Sequence, residues 1–369
     1  MKISTILLLV IFSFSICRLK KKSTMQITRE MGIGINLGNT MESHGEWIWT
    51  YGDHTPKSYE TAWGSPVITK DMIKGIKREG FGVMRLPVHW FNMMGANYTI
   101  NSDYVARVKE IVKWAIDVRL YVILNIHHDE NDFFKNLPTK FEETIKNYKH
   151  IWAQVAEAFK SFDDYLMFES LNEEACWGDV YNEWTGTVDD KKKAFNLNYQ
   201  LNQAFIDVIR ASGGNNRERH LLLAGYCTDV QKTCDPMYKI PVDPMNRYAI
   251  SMHYYTPSSF CILTEDQDWG KARETWGTDE DIEELNKYLN MIKRTYINKG
   301  IPVILGEYGA TLKNKDYSSV KKFLYSVCKG AYDRHILPIL WDVADQHYDR
   351  EAGAMRNKEL RNLLKSVTK

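Results

Sequence analysis

Residues 145–171 read IKNYKHIWAQVAEAFKSFDDYLMFESL, and this stretch contains the two patterns that decide the fold. In its first part, apolar side chains recur at the spacing of one helix face, at Ile145, Tyr148, Trp152, Val155 and Phe159. That period predicts an amphipathic helix. The second part, Tyr165–Leu171, is a short and mostly apolar run, typical of a strand buried on both faces of a parallel sheet. A helix joined to such a strand is the repeating unit of an α/β fold.

The same alternation extends in both directions along the chain. Eight such runs are separated by helical stretches: Gly32–Asn36, Phe81–Leu86, Leu120–Ile126, Tyr165–Leu171, His220–Ala224, Tyr248–Met252, Pro302–Leu305 and Ile336–Leu340. Before the second run, Thr69 is expected to cap a helix that ends at Gly80. Eight units of this kind close into a barrel, so we predict an α/β fold, a single (β/α)8 TIM barrel with long rim loops. An open, doubly wound sheet is the competing topology.

Three glycines near the first run resemble a dinucleotide-binding turn only superficially. Gly32, Gly34 and Gly38 follow the spacing G-x-G-x-x-x-G, which is one residue too long for that fingerprint, and no helical pattern follows directly. No linker rich in Pro, Gly or Ser and no internal repeat divides the chain. One catalytic domain over residues 18–369 is therefore the simplest organisation.

The first 17 residues have the pattern of a secretory signal. Lys2 precedes the apolar run Ile3–Ile16, which is too short to span a bilayer comfortably. We expect cleavage after Cys17 and a secreted, extracellular protein, with a retained N-terminal anchor as the alternative. The chain has 48 Lys and Arg against 47 Asp and Glu, so the loss of Lys2 would make it neutral. A neutral chain argues against nucleic acid and anionic membranes as partners.

Five of the six cysteines lie beyond the expected cleavage site, so at least one thiol must stay unpaired. Cys227 and Cys234 are close enough in sequence to bridge a loop in an oxidising compartment. The spacing of the cysteines matches no zinc or redox motif and leaves their pairing open.

Polar residues concentrate where the predicted strands end, which is where barrels build their active sites. These residues are Arg85, His127, His128, Asn172, Glu173, His253, Tyr255, Glu307 and Trp341. Glu173 and Glu307 supply two opposed carboxyl groups, the equipment of glycoside hydrolysis. The 11 Trp and 21 Tyr suit this chemistry, because aromatic rings stack on the apolar faces of sugars.

Most tryptophans also fall after predicted strands. The candidates for a sugar-binding rim are Trp47, Trp49, Trp63, Trp177, Trp184, Trp269 and Trp276, whereas Trp114 and Trp152 lie on predicted helices and are expected in the core.

The consecutive histidines His127 and His128 need separate treatment. Adjacent residues of a regular strand point to opposite faces, so we expect only one of the two to face the site. Consecutive ligands on a strand do not converge, so we predict no metal at His127, His128, Asp129 and Glu130. Glu169 is expected to be a structural residue.

Seven short motifs resemble glycoside hydrolase family 5, and they occur in the order expected for that family. They are GINLGNT (34–40), RLPV (85–88), NIHHD (125–129), FESLNE (168–173), HYY (253–255), GEYG (306–309) and the late Trp341. The similarity runs from about Gly32 to Trp341. It is greatest to the secreted endo-β-1,4-glucanases (cellulases), a subfamily that also includes lichenases and xyloglucanases.

The resemblance implies a retaining mechanism with Glu173 as acid/base and Glu307 as nucleophile. It also implies a supporting catalytic shell of Arg85, His127, Asn172, His253 and Tyr255. Trp341 would lie under the sugar at the cleavage site, and Asn39, Trp49 and His128 are candidates for neighbouring subsites. No cofactor or metal is implied, because two carboxyl groups and water complete the reaction.

The expected partner is a β-glucan polysaccharide such as cellulose, carboxymethylcellulose, lichenan, barley glucan or xyloglucan. A β-mannanase or a dedicated xyloglucanase is the alternative within the enzyme class, because the carboxylates do not encode which sugar is accepted. A carbohydrate-binding protein without hydrolysis is the alternative of another class. We expect a monomer without a dockerin or a carbohydrate-binding module.

The carboxyl groups are expected to differ in protonation. Burial and the charge of Glu307 should raise the pKa of Glu173, whereas Arg85 and Tyr255 should keep Glu307 ionised.

Overall fold

Eight parallel strands close into a barrel in the computed structural model of the chain, and the predicted fold is thereby confirmed. The structure describes residues 21–45, 47–48, 53–128, 133–173, 176, 178, 180–344 and 346–369. The barrel strands are β1 (Gly34–Asn36), β2 (Val83–Leu86), β5 (Tyr121–Leu124), β6 (Leu166–Glu169), β7 (Leu221–Asp229), β8 (Tyr248–Tyr254), β9 (Val303–Tyr308) and β10 (Leu337–Leu340). They neighbour one another in this order, and β10 pairs with β1 to close the ring.

Two small antiparallel hairpins lie outside the barrel sheet, one between β2 and β5 and one after β10. Their strands are β3 (Met94–Gly95) with β4 (Thr99–Ile100) and β11 (Tyr348–Asp349) with β12 (Ala354–Met355). The helices are α1 (Thr24–Met31), α2 (Pro56–Thr61), α3 (Lys70–Arg78), α4 (Ser102–Asp117), α5 (Phe141–Phe159), α6 (Val188–Ala211), α7 (Val230–Thr233), α8 (Ser258–Cys261), α9 (Asp279–Thr295), α10 (Tyr317–Tyr332) and α11 (Lys358–Ser366).

Local signals in the sequence set the ends of α3 as predicted. The Thr69 hydroxyl accepts a hydrogen bond from the Met72 N–H at 3.2 Å, which satisfies one of the free donors at the start of the helix. Beyond the last turn, Gly80 has a φ of +102°, a conformation that a side chain would strain.

The barrel core has two layers. Between the strands and the outer helices, Trp152 of α5 is fully buried and its ring packs against those of Phe168 and Phe205. A second apolar cluster fills the lower interior, where Ile27 and Met31 of α1 pack with residues of the strands. Helix α1 therefore closes the end of the barrel that lies opposite the C-terminal rim.

All eight predicted strands are present, but their ends differ from the prediction in ways that matter for the site. β8 continues two residues further than expected and β9 three, so His253 and Glu307 lie within strands. The pairing of β8 with β9 shifts register between Met252 and His253. β5 instead ends at Leu124, so His127 and His128 belong to the following loop.

The chain ends at the closed side of the barrel. Helix α11 returns there from the rim: the Lys365 ammonium donates to the Arg78 carbonyl at 3.1 Å, and the Thr368 methyl lies next to Gly32, before β1. The expected signal, residues 1–17, lies outside the described residues. Within the described part of the chain, no helix combines the length and apolar character that a membrane crossing requires.

Candidate active site

Glu173 and Glu307 meet at the C-terminal rim of the barrel. One oxygen of each carboxylate and one ring nitrogen of His253 all lie within 4.8 Å of one another. Glu307, in β9, is buried, whereas the Glu173 side chain, just after β6, is 50% exposed on the floor of the cleft. Inverting glycosidases need a wider gap to hold a water between the carboxyl groups. The separation therefore fits a covalent, retaining mechanism.

The Arg85 guanidinium, at the end of β2, joins four side chains beneath the cleft. It donates to the carboxylates of Glu169 and Glu307, both at 2.7 Å, and to the side-chain oxygens of Asn36 and Asn172 at 3.0 and 2.9 Å. Burial lowers the pKa of Arg85, but the two carboxylates outweigh burial and raise it. The guanidinium is therefore a fixed positive charge that aims Glu307 and Asn172 into the cleft.

Two of these partners were not recognised from the sequence as parts of the site. Glu169 was expected to be structural, and it is fully buried and accepts hydrogen bonds from Arg85 and from the Ser251 hydroxyl, both at 2.7 Å. Asn36 ends an apolar run, the same signal that selected the other site residues. Gly306 leaves room for this layer, because a Cβ there would lie 3.1 Å from the Ser251 oxygen.

Both oxygens of Glu307 receive a hydrogen bond. Arg85 donates to one oxygen, and the Tyr255 hydroxyl donates to the other at 2.8 Å. Burial and the charge of Glu307 raise the pKa of Tyr255 well above its usual value, so the phenol remains a donor. Burial also raises the pKa of Glu307 and is only partly offset by the charges of His253 and Arg85. A buried, basic and oriented carboxylate is suited to act as a nucleophile.

His253 lies between the two carboxylates and is closer to Glu173, the more exposed of the two. Its Nδ1 is 2.6 Å from Glu173 and 3.7 Å from Glu307. Burial lowers the pKa of His253, but the charge of Glu307 and the hydrogen bond to Glu173 outweigh burial and raise it. Burial likewise raises the pKa of Glu173, and the His253 hydrogen bond reverses that shift. The expectation of a raised Glu173 pKa is therefore wrong for the free protein, because the sequence did not show this imidazole as its partner.

Trp341 forms one side of the cleft. Its main-chain N–H donates to the Tyr308 carbonyl at 2.8 Å, and its ring is nearly parallel to that of His127, with the centroids 6.0 Å apart. His127 is buried, and burial holds its pKa well below the usual value, so the ring is neutral. A neutral imidazole against an indole gives the cleft a rigid aromatic wall.

The strand geometry that led us to expect only one of His127 and His128 to face the site is not present in the structure. β5 ends before both residues, and His128 has a φ of +61°, so strand alternation does not apply. The two rings meet edge to face at 4.4 Å, and His128 lines the same cavity as Glu173. Burial lowers the pKa of His128 to about 3.

An aromatic group continues this wall away from Glu173. The His44 ring lies 4.8 Å from His128 and 5.1 Å from Trp63, measured between centroids. Asn39, a candidate for a neighbouring subsite, has a φ of +55° and is held through its main-chain N–H by Glu42. Trp49, the other candidate on this side, lies outside the described residues.

The remaining rim tryptophans divide into different environments. Trp276 was expected at the rim but is buried, and its ring meets Phe323 edge to face at 5.1 Å. Trp184 and Trp269 are exposed. Trp177 lies outside the described residues.

A cavity of about 850 Å³ opens beside Glu173, and Asn172, His128 and Tyr255 also line it. A disulfide between Cys176 and Cys227 borders it, joining the segment after Glu173 to β7. Cys227 is therefore not paired with Cys234, which keeps a free, half-buried thiol.

Among the described residues, Glu173, His253 and Glu307 form the one group whose donor atoms are spaced for a metal ion. Arg85 and Tyr255 already donate to the two oxygens of Glu307, and His253 is hydrogen-bonded to one oxygen of Glu173. Asp129 and Glu130, considered above as metal ligands, lie outside the described residues.

The family model described as Cellulase (glycosyl hydrolase family 5) matches residues 41–347. Endoglucanase A of Clostridium longisporum is 37% identical over 322 residues, which cover 87% of this chain and 59% of that protein. The chain thus spans less than two thirds of that relative. A xyloglucan-specific endo-β-1,4-glucanase of Bacteroides ovatus is 31% identical over 91% of this chain and 68% of its own length.

Solved structures give the same result. A broad-specificity endoglucanase from an uncultured bovine rumen ciliate superposes with a TM-score of 0.83 at 33% identity, covering 94% of this chain and 98% of that one. A lichenase from Caldicellulosiruptor sp. F32, in complex with cellotetraose, gives a TM-score of 0.85 at 30% identity, with 95% and 97% covered.

Proposed function

The chain belongs to the cellulase family of glycoside hydrolases, glycosyl hydrolase family 5, and on this premise we propose that it is a retaining endo-β-1,4-glucanase. One observation carries the proposal. The carboxylates of Glu173 and Glu307 lie within 4.8 Å of each other, and each is engaged by a different set of donors. Arg85 and Tyr255 hold Glu307, whereas His253 holds Glu173.

In the first step Glu307 attacks the anomeric carbon of the sugar that lies against Trp341. The bond from that carbon to the glycosidic oxygen breaks, and the oxygen takes a proton from Glu173. In the free protein we assign this proton to the hydrogen-bonded pair of His253 and Glu173, because the charge of Glu307 and the bond to Glu173 outweigh burial and raise the pKa of His253. The 2.6 Å hydrogen bond from His253 to Glu173 provides the route by which the proton reaches the acid when the substrate excludes water.

In the second step the roles reverse. The ester to Glu307 no longer carries a negative charge, and Glu173, which gave its proton to the leaving oxygen, is now a carboxylate that can act as a base. It takes a proton from water as the water oxygen attacks the anomeric carbon, and the bond to Glu307 breaks. Asn172 accepts a hydrogen bond from Arg85, and we assign to it a hydrogen bond with the sugar hydroxyl next to the anomeric carbon. Two inversions leave the configuration retained.

We propose unbranched and branched β-glucans as the substrates. Aromatic rings, including Trp341 and His127, border the cleft, and a cavity of about 850 Å³ opens beside Glu173, which suits a long uncharged polymer. A similar protein is specific for xyloglucan and another is a lichenase, so a dedicated xyloglucanase remains the second candidate within this class. A β-mannanase is the third.

The test is release of reducing sugar from carboxymethylcellulose, lichenan, xyloglucan and mannan by the wild type and by Glu307→Gln. We expect hydrolysis of at least one β-glucan and a loss of roughly 10⁵-fold in the variant, because the nucleophile is gone. Glu79→Gln changes a buried glutamate outside the cleft and is the matched control. Wild-type inactivity on all four polymers would favour a binding protein without hydrolysis.

The stereochemistry of the first product tests the mechanism separately. Proton NMR during early hydrolysis should show the β-anomer before mutarotation. The α-anomer as first product would contradict the retaining mechanism while leaving the substrate class intact.

We also propose that the protein is secreted after removal of residues 1–17, on the basis of the sequence pattern at Lys2 and Ile3–Ile16. N-terminal sequencing of protein recovered from the medium should begin at Arg18. Full-length protein in a membrane fraction would support the retained anchor.

A further inference from the structure

Four buried charged or titratable side chains lie behind the Trp341 side of the cleft. We call them the rim charge cluster; they are Glu42, Asp342, His347 and Arg350, each at most 3% exposed. Burying a charged side chain destabilises the fold unless its partners offset the lost hydration. None of these four residues is hydrogen-bonded to Glu173 or Glu307, so their role must be sought in their other contacts. The contacts of each member show what the cluster holds in place.

Glu42 shapes the loop that follows β1. Its two carboxylate oxygens accept the main-chain N–H groups of Asn39 and Thr40, the latter at 2.9 Å. These bonds stabilise the left-handed conformation at Asn39. Without the carboxylate, two buried donors would lose their acceptor and the loop would lose its defined path.

Asp342 does the same for the segment that carries Trp341. Its side chain accepts the N–H groups of His347 and Tyr348 at 2.9 and 3.1 Å, which folds the chain back beneath the tryptophan. Its carbonyl accepts the Gly38 N–H at 3.0 Å and so ties this segment to the Asn39 loop.

The two segments fit together closely. A Cβ at Gly38 would lie 2.8 Å from the Asp342 carbonyl and 3.0 Å from the Trp341 ring. The Trp341 ring therefore contacts the main chain of the Asn39 loop, and a small movement of either segment moves one side of the cleft.

Arg350 links the two halves of the cluster. It donates to the Asp342 carbonyl at 2.9 Å and to the Ser65 hydroxyl at 3.0 Å, and its guanidinium lies 3.6 Å from the Asp342 carboxylate. Its charge also acts on Glu42. Among the described residues, one oxygen of Asp342, the Nε of Arg350 and both ring nitrogens of His347 have no hydrogen-bond partner. Such incompletely paired buried groups are uncommon where stability alone matters.

We propose that Glu42, Asp342 and Arg350 are positioning residues for sugar binding, which fix the Trp341 ring against the Asn39 loop and so set the width of the cleft beside the scissile bond. This inference rests on the proposed function. It assigns to the cluster a role in substrate affinity in addition to any role in folding.

The test compares Asp342→Asn with Asp243→Asn. Asp243 is also a buried aspartate that accepts two main-chain N–H groups and pairs with an arginine, Arg210, but it precedes β8 at the closed end of the barrel. Both substitutions keep the shape and remove the charge. An aryl cellobioside with an activated leaving group serves as substrate, and a fluorinated cellobioside that traps the glycosyl-enzyme counts the active sites.

Asp342→Asn should raise KM about tenfold with little change in kcat and a full count of active sites, because a small misplacement of a binding surface is costly. Asp243→Asn should lower the unfolding midpoint and leave KM unchanged. Arg350→Lys should restore only part of the affinity lost in Arg350→Met, because an ammonium cannot reach both the Asp342 carbonyl and Ser65.

Three outcomes overturn the proposal. If Asp342→Asn keeps the wild-type KM, or if only its count of active sites falls, the cluster is structural. If Asp243→Asn raises KM equally, the effect is not specific to the cleft. If the wild type does not hydrolyse the aryl cellobioside or any β-glucan, and is not labelled by the fluorinated cellobioside, the proposed function itself is wrong and the inference is wrong with it.

Discussion

Two arginines are buried to the same degree at opposite ends of the barrel, and their surroundings differ completely. Arg85, at the rim, bonds two carboxylates and two amide oxygens of side chains. Arg219, just before β7 at the closed end, donates to four main-chain carbonyls and to Asn216. Its guanidinium also lies 4.8 Å from the centre of the Phe168 ring.

The comparison distinguishes an arginine that stabilises the fold from an arginine that, in the proposed function, positions reacting groups. Carbonyl groups cannot change their protonation, and burial without a carboxylate partner lowers the pKa of Arg219 to about 10. It still remains protonated at neutral pH, so its contribution is constant. The partners of Arg85 include Glu307, which in the proposed mechanism loses its charge when the ester forms and regains it when the ester is hydrolysed. Four substitutions test this distinction.

The largest effect is expected for Arg85→Lys. An ammonium cannot bond Glu169, Glu307 and Asn172 together, so the nucleophile and the amide should lose their alignment. We expect kcat on a soluble β-glucan to fall roughly 10³-fold, on the scale of losing an oriented electrostatic group. Circular dichroism checks that the barrel is folded. Activity within tenfold of wild type would show that the rim arginine is merely structural.

Arg219→Lys should affect stability in place of catalysis. The substitution leaves several buried carbonyls without a donor, and we expect the free energy of unfolding to fall by about 3 kcal/mol. Denaturation in urea measures the loss. Because Arg219 lies at the closed end, kcat/KM per folded molecule should equal that of wild type, and a lower value would break the comparison.

Glu169→Gln removes one of the two negative charges on Arg85 and keeps the side-chain shape. The guanidinium would then attract Glu307 alone, which should lower the pKa of that carboxylate and weaken it as a nucleophile. We expect kcat/KM to fall about tenfold, equivalent to one lost hydrogen bond to a charged group. The acidic limb of the pH–rate profile should move to lower pH. An unchanged limb would mean that Glu169 does not act through Arg85.

His253→Asn is expected to change pH dependence more than maximal rate. In the proposed mechanism His253 and Glu173 share the catalytic proton, and the charge of Glu307 and the hydrogen bond to Glu173 outweigh burial and raise the pKa of His253. With no imidazole, Glu173 must hold that proton alone. The alkaline limb of kcat/KM should therefore move down by about one pH unit. A shift to higher pH would show that His253 only destabilises the protonated acid.

The barrel and the position of its two facing glutamates could be predicted from the sequence, for a definite physical reason. The eight strands are apolar on both faces, so their runs stand out from the helical period, and the polar residues ending them must collect at one rim. Glu173 and Glu307 were identified in this way. The structure places them together, while their catalytic roles remain predictions until the variants are measured.

The features that escaped prediction depend on contacts between distant residues. Glu169 looks like one polar residue in a buried strand until Arg85, 84 positions away, supplies its partner. The His253–Glu173 pair and the Cys176–Cys227 disulfide are non-local in the same sense. The loop geometry at His127 and His128 escaped for a local reason, because β5 ends two residues earlier than expected and His128 has a left-handed conformation, so the alternation rule does not apply.

Helices α1 and α11, the first and last of the described helices, lie on the side of the barrel opposite the cleft. Helix α1 closes the end opposite the cleft, and α11 brings Thr368 back beside Gly32 on that same side. A linker that continues from Thr24 at the start of α1 or from the C-terminal residue Lys369 would therefore leave the barrel on the side away from the cleft. Immobilised in this way, the protein would present its open groove outward, toward an insoluble polymer too large to diffuse around it.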